Sequence, residues 1–188
     1  MKRDLALKVL KQHISNELVV AVYQTLFDWM VINPRDLNYV ATGAMGQASS
    51  HGLGLALANP EKEVIVFDGD GSLLMNLGSL VSVANAAPKN FHHFVFENGV
   101  YEVNGAHPIP GHGKVDFAGM AKAAGYTRVE IFSELGDFEN RVDDFLKTPG
   151  PAFAVMKIEP GESYPRDYAY IHSGEARQKF RQALQSSD

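Results

Sequence analysis

Glu63-Val64-Ile65-Val66-Phe67-Asp68-Gly69-Asp70-Gly71-Ser72 is a strand that runs into a glycine-rich turn. Its first half is an apolar, β-branched run without polar alternation, as expected of a strand covered on both faces. Its second half brings two glycines and two carboxylates to a turn, and a helical pattern begins near Leu74. A strand that feeds a helix through such a turn reads as one βα unit of a parallel sheet.

The same alternation recurs on either side. Candidate strands lie at 18–23, 38–42, 63–68, 91–97, 128–132 and 152–158, and helical patterns at 4–14, 47–58, 74–86, 116–124, 134–146 and 174–184. The expected fold class is α/β: a single domain over 1–188 with about six mainly parallel strands and helices on both faces. Ligands of open sheets of this kind sit at the carboxyl ends of the strands. The loops after Tyr23, Thr42, Asp68 and Glu97 are therefore the informative ones.

The chain has 188 residues, 45% hydrophobic and 21% charged, enough to bury a core. Its formal net charge of -5 argues against a nucleic-acid partner, which wants a basic face. There is no cysteine, so disulfides, thiolate metal sites and cysteine nucleophiles are excluded. The stretch MKRDLALKVLKQHISNE is charged throughout, and no apolar run approaches the roughly 20 residues of a membrane span. A cytoplasmic protein with no membrane partner is expected.

At the central turn, glycines let the backbone approach a ligand, and the helix start offers N–H groups suited to phosphate. A carboxylate in the same loop would repel phosphate unless a cation lay between them. Asp70 thus points to Mg2+, which commonly takes one or two protein oxygens plus phosphate oxygens. Asn98, followed by Gly99, supplies a second oxygen. The 25 residues from Ser72 to Phe96 hold one helix and one strand, which puts Asp70 and Asn98 on neighbouring strand ends. Other readings are a calcium loop, although its twelfth position is Ser79 rather than Glu, and a dinucleotide turn, although no GxGxxG is present. A purely structural turn is the third.

These motifs resemble the signature of thiamine diphosphate (ThDP) enzymes, in which GDG is followed some two dozen residues later by an Asn pair. The resemblance implies metal binding by Asp70, Asn98 and the carbonyl of Val100, with Glu97 in the place of the first Asn. It also implies a cofactor-propping side chain in a G-x-M-G turn. Met45 lies 25 residues before Asp70 in Gly43-Ala44-Met45-Gly46 and takes that part. The Gly43 carbonyl would then accept from the aminopyrimidine. Gly69, Gly71, Ser72 and Tyr101 join the cofactor-binding set. Gln24 and Thr25, after the first strand, are expected beside the diphosphate as donors. His107 and His112, in the Pro- and Gly-rich stretch after Asn98, are candidate proton donors or substrate-carboxylate ligands, whereas His92 and His93 lie on a strand and are expected to be structural.

The likeness spans roughly residues 1–160 and extends to the β subunit of sulfopyruvate decarboxylase and the C-terminal half of phosphonopyruvate decarboxylase. It is carried by Ala44-Met45-Gly46-x-Ala48-Ser49-Ser50-x-Gly52-Leu53-Gly54-Leu55-Ala56-Leu57-Ala58 and by Asp68-Gly69-Asp70-Gly71-Ser72-Leu73-Leu74-Met75-Asn76-Leu77-Gly78-Ser79-Leu80. The run Ala87-Pro88-Lys89-Asn90-Phe91 adds to it. Where those proteins commonly carry a T/S-R-E-L-like stretch, this chain has Thr25-Leu26-Phe27-Asp28-Trp29, and the missing arginine leaves an ordinary 2-oxo acid open as substrate. The resemblance implies a diphosphate-binding (PP) half-site that is inactive alone. The glutamate that activates ThDP would come from a pyrimidine-binding α subunit on a separate chain, in an α/β hetero-oligomer or around a homodimer of this chain. The same half-site in an acetolactate synthase-like complex, and an orphan ThDP-binding domain without turnover, are the alternatives.

Overall fold

The computed structural model describes residues 1–40, 45–162 and 164–186. In chain order its elements are α1 (Arg3–Lys11), β1 (Leu18–Ala21), α2 (Tyr23–Ile32), β2 (Asn38–Val40), α3 (Ala48–Ala58), β3 (Val64–Gly69), α4 (Asp70–Leu74), α5 (Gly78–Ala86) and β4 (Phe91–Glu97). A small hairpin follows: β5 (Val100–Tyr101), a 3-10 turn (Glu102–Asn104) and β6 (His107–Pro108). The chain closes with α6 (Phe117–Ala124), β7 (Arg128–Phe132), α7 (Leu135–Lys147), β8 (Ala152–Lys157), α8 (Tyr168–Ile171) and α9 (Gly174–Ser186).

Six strands form one sheet in the order β2-β1-β3-β4-β8-β7, every neighbouring pair parallel. The expected α/β class and strand number therefore hold. The order reverses beside β1, whose neighbours are β2 and β3, and such switch points are where open α/β sheets take ligands.

The apolar runs are explained by burial on both faces. Val19, Ala21, Ile65, Phe67, Phe94 and Phe96 point to the layer of α1, α2 and α7. Their chain neighbours Leu18, Val20, Val64, Val66 and Val95 point to the layer of α3, α5 and α6. Val66 also sets how closely α3 lies. A Cβ on Gly52 would stand well inside van der Waals contact with Val66 Cγ2 and 3.0 Å from the Phe91 ring. Gly52→Ala is accordingly expected to cost about 1–3 kcal/mol. A urea midpoint unchanged from the parent would refute that packing.

Three features depart from the sequence reading. Residues 23–32 form a helix, α2, where a loop after the first strand is expected. The helical pattern over 74–86 splits into α4 and α5, because Met75 and Asn76 close i→i−3 bonds to Ser72 and Leu73 (3.1 and 3.0 Å). α4 starts at Asp70, so the GDG aspartate is itself helical. The second candidate strand, 38–42, is described only to Val40. Among the described residues no helix is long and apolar enough to cross a membrane.

Candidate cofactor site

β3 and β4 run parallel with Gly69 beside Phe96, so the residues after them share one end of the sheet. Asp70, only 2% exposed, follows β3 directly. Its Oδ2 accepts from the backbone N–H of Asn98 (3.1 Å) and Gly99 (2.6 Å), and its Oδ1 from that of Gly71 (2.8 Å). One carboxylate thereby pins the turn after β4 to the turn after β3. Burial pushes its pKa up and the charge of Glu97 adds to this, while the bonds from Gly99, Gly71 and Asn98 oppose it. A cation bound there would favour the ionised form.

Gly99 has the left-handed φ of +77°, and a Cβ on it would collide with the imidazole of His112. His112 Nδ1 lies 3.0 Å from the Gly99 carbonyl oxygen. Asn98 is half-buried; its Oδ1 accepts from Val100 N–H (2.9 Å) and its Nδ2 donates to Glu102 Oε2 (3.1 Å).

The G-x-M-G turn is fastened to the GDG helix. Gly46 N–H donates to Ser72 Oγ (3.0 Å), and Asn76 Nδ2 donates to the Gly46 carbonyl (2.9 Å). These bonds place Met45 at the cleft wall. Gly43 lies outside the described residues. Gly71 has a different reason to lack a side chain than ligand approach. A Cβ there would stand 2.5 Å from the Tyr101 ring and 3.2 Å from Ile109, so the bare backbone lets the β5–β6 hairpin close over α4. Gly69, by contrast, meets nothing closer than Ser72 Cβ at 3.9 Å.

A cleft opens among these groups at the carboxyl ends of β1, β3 and β4. Met45, Gly69, Asp70, Gly71, Ser72, Asn98, Val100, Tyr101, Gln24 and Thr25 all line it. The structure thus brings together every described residue expected to hold cofactor or metal. Gln24 has its amide engaged inside the protein, donating to Asp28 Oδ1 (2.9 Å) and accepting from Arg166 (2.5 Å). Thr25 is 5% exposed. Tyr23, just before them, has a φ of 50°, uncommon for an aromatic residue.

The two candidate histidines stand apart from this wall. His107 is exposed on β6 and does not line the cleft. His112 lines a second hollow with Glu97, Asn98, Gly99 and Lys157, so that Asn98 borders both it and the cleft. His93 is fully buried between Asp68 Oδ2 (3.3 Å) and the Tyr126 hydroxyl (3.4 Å), a structural setting as expected for that strand. Arg3, Glu102 and Asn76 belong to the site and carry no signal in the sequence beyond their residue types. They meet it only through tertiary contacts.

The oxygen donors suit Mg2+ better than a softer ion: one carboxylate, one amide and one peptide carbonyl at the turn. Among the described residues no group of three or more His, Asp or Glu side chains is placed to hold a metal by itself. A cation here would need the ligand's own phosphate oxygens to complete its shell.

Comparison with known proteins points the same way. Residues 19–156 match the family described as thiamine pyrophosphate enzyme, C-terminal TPP binding domain. The chain is 37% identical over 150 residues to the phosphonopyruvate decarboxylase of Streptomyces viridochromogenes, covering 80% of this chain and 37% of that one. It is 34% identical over 156 residues to the sulfopyruvate decarboxylase subunit beta of Methanococcus maripaludis, covering 82% of each. Against the solved benzoylformate decarboxylase of Polynucleobacter necessarius the TM-score is 0.68 at 20% identity, over 88% of this chain and 34% of that one. The match thus spans little more than a third of the phosphonopyruvate decarboxylase and of the solved structure.

Proposed function

Since the chain belongs to the thiamine pyrophosphate enzyme family through its C-terminal TPP-binding domain, we propose that it is the diphosphate- and Mg2+-binding subunit of a heteromeric ThDP-dependent 2-oxo acid decarboxylase. The observation that carries this reading is the Asp70 carboxylate, held by the backbone of Asn98 and Gly99 over the cleft that Met45 and Ser72 also line. In it, Asp70, Asn98 Oδ1 and the Val100 carbonyl hold Mg2+ against the diphosphate. Ser72 Oγ accepts from Gly46 N–H and keeps its own proton to donate to a phosphate oxygen. The Met45 side chain props the thiamine rings.

Bound ThDP would supply the nucleophilic carbon and the electron sink that decarboxylation of a 2-oxo acid needs. This chain's own part is to hold and orient the cofactor. The glutamate that assists deprotonation comes from a separate pyrimidine-binding subunit, in keeping with a relative named subunit beta.

The lining also bears on the substrate. Arg3 is the basic side chain among the residues that line the cleft, and it is bound to Asp28 and Glu102. The Thr25–Trp29 stretch offers no cation either; Thr25, Leu26, Phe27, Asp28 and Trp29 are all buried in α2. Among the described residues a further cation stands behind this wall, Arg166, which donates to Gln24, and the partner subunit's half of the site would decide between an ordinary 2-oxo acid and one that bears a phosphonate or sulfonate.

The test is reconstitution. The chain, mixed with its pyrimidine-binding partner subunit, is expected to release carbon dioxide from a 2-oxo acid in the presence of ThDP and Mg2+, and to release none alone. Turnover by this chain alone contradicts the split site. No turnover by the assembled complex on any 2-oxo acid contradicts the decarboxylase reading.

A further inference from the structure

Arg3 sits at the start of α1, 3% exposed, with its guanidinium shared between two carboxylates from distant parts of the chain. Nε donates to Asp28 Oδ2 (2.6 Å), Nη1 to Glu102 Oε2 (2.6 Å) and Nη2 to Glu102 Oε1 (3.2 Å). Gln24 Nε2 donates to the other Asp28 oxygen at 2.9 Å. Burying such a cluster is costly, and apolar side chains of similar volume usually stabilise as well or better. Stability alone is therefore a poor reason for it.

The Glu102 carboxylate has one further neighbour, Asn98 Nδ2, at 3.1 Å. This contact decides which way the Asn98 amide faces. Ionised Glu102 can only accept, and the Val100 N–H can only donate. The arrangement that satisfies both puts Nδ2 toward Glu102 and Oδ1 toward Val100, as observed. A flipped amide would set two donors against each other at Val100 and two acceptors at Glu102. The 3-10 turn that carries Glu102 is fixed in turn by the two-pronged bond to Arg3, a geometry lysine cannot reproduce.

We propose that Glu102 and Arg3 are positioning residues for the metal ligand Asn98: Glu102 sets the amide so that its oxygen, not its nitrogen, is presented for metal binding, and Arg3 holds Glu102 in place. The inference rests on the metal site proposed above. Partners that orient metal ligands typically change affinity by about 10- to 100-fold when altered.

The test measures Mn2+ affinity by electron paramagnetic resonance on the assembled complex with ThDP, read as Kd because an unfolded fraction lowers only the amplitude. Glu102→Leu, which removes the acceptor, is expected to weaken Mn2+ binding about 10- to 100-fold. Glu102→Gln loses the charge but keeps an oxygen that can accept from Asn98 Nδ2, and is expected to retain more of the affinity than Glu102→Leu. Arg3→Lys is expected to weaken binding in the same direction as Glu102→Leu. Equal losses in Glu102→Gln and Glu102→Leu would show that Glu102 acts only through its charge, and would overturn the proposal, as would unchanged Kd in Glu102→Leu. If the unaltered complex takes up no Mn2+ with ThDP, the metal site itself fails and this inference falls with it. Binding abolished by Asp70→Ala but untouched by Glu102→Leu sinks the positioning role alone.

Discussion

Replacing Asp70 with alanine is expected to weaken Mg2+-dependent ThDP binding by more than about 100-fold, beyond what loss of an orienting partner costs. Asp70 is the carboxylate among the three oxygen donors, so without it a cation between protein and diphosphate is held only by neutral groups. The same change removes the acceptor for the N–H groups of Asn98 and Gly99. That loss loosens the turn bearing the second ligand and costs about 1–3 kcal/mol of stability. Calorimetric titration of the assembled complex with ThDP at fixed Mg2+ reads the first effect, and a urea midpoint reads the second. Unaltered cofactor affinity in the variant contradicts the metal assignment.

The largest loss of stability is expected at Phe94. It lies at 0% exposure in the middle of β4, with ring centroids 5.2 Å from Phe145, 6.0 Å from Phe67 and 6.4 Å from Phe138. Phe94→Ala leaves a hole between the sheet and α7 that these rings cannot close without shifting β3. The cost is expected at about 3–5 kcal/mol, which for a chain of this size lowers Tm by roughly 6–20 °C. β4 carries Asn98 at its end, so ThDP should recover part of the lost Tm in the assembled complex. A loss below about 1 kcal/mol would mean the cavity collapses freely, which the packed rings do not allow.

How far the sequence could be read depended on whether a feature was local. β1, β3, β4 and β8 are short apolar runs because both faces of the sheet are covered, and composition alone carries that. α2 escaped notice because Gln24, Leu26, Phe27, Asp28 and Trp29 are buried around most of its girth. A helix without a polar face leaves no 3.6-residue stripe. It also starts at Tyr23 in a left-handed conformation, with no side-chain cap to announce it. The GDG and Asn98 pairing could be read from spacing, since one helix and one strand separate them. The reason for Gly71 could not, because it depends on the Tyr101 ring folding back from the hairpin. Arg3 is the extreme case, meeting partners 25 and 99 residues away that only the assembled sheet brings together. His107 and His112 were equally out of reach of the sequence in their placement: one imidazole braces the Gly99 turn and the other is exposed on the hairpin, and only the folded loop shows this.

The most direct measurement is the anomalous diffraction of crystals of the assembled complex grown with ThDP and Mn2+ in place of Mg2+. One anomalous peak bonded to the Asp70 carboxylate, Asn98 Oδ1 and the Val100 carbonyl, with diphosphate oxygens completing its shell, is the expected result. A metal held by other residues, or ThDP lying with its diphosphate outside this cleft, would contradict it.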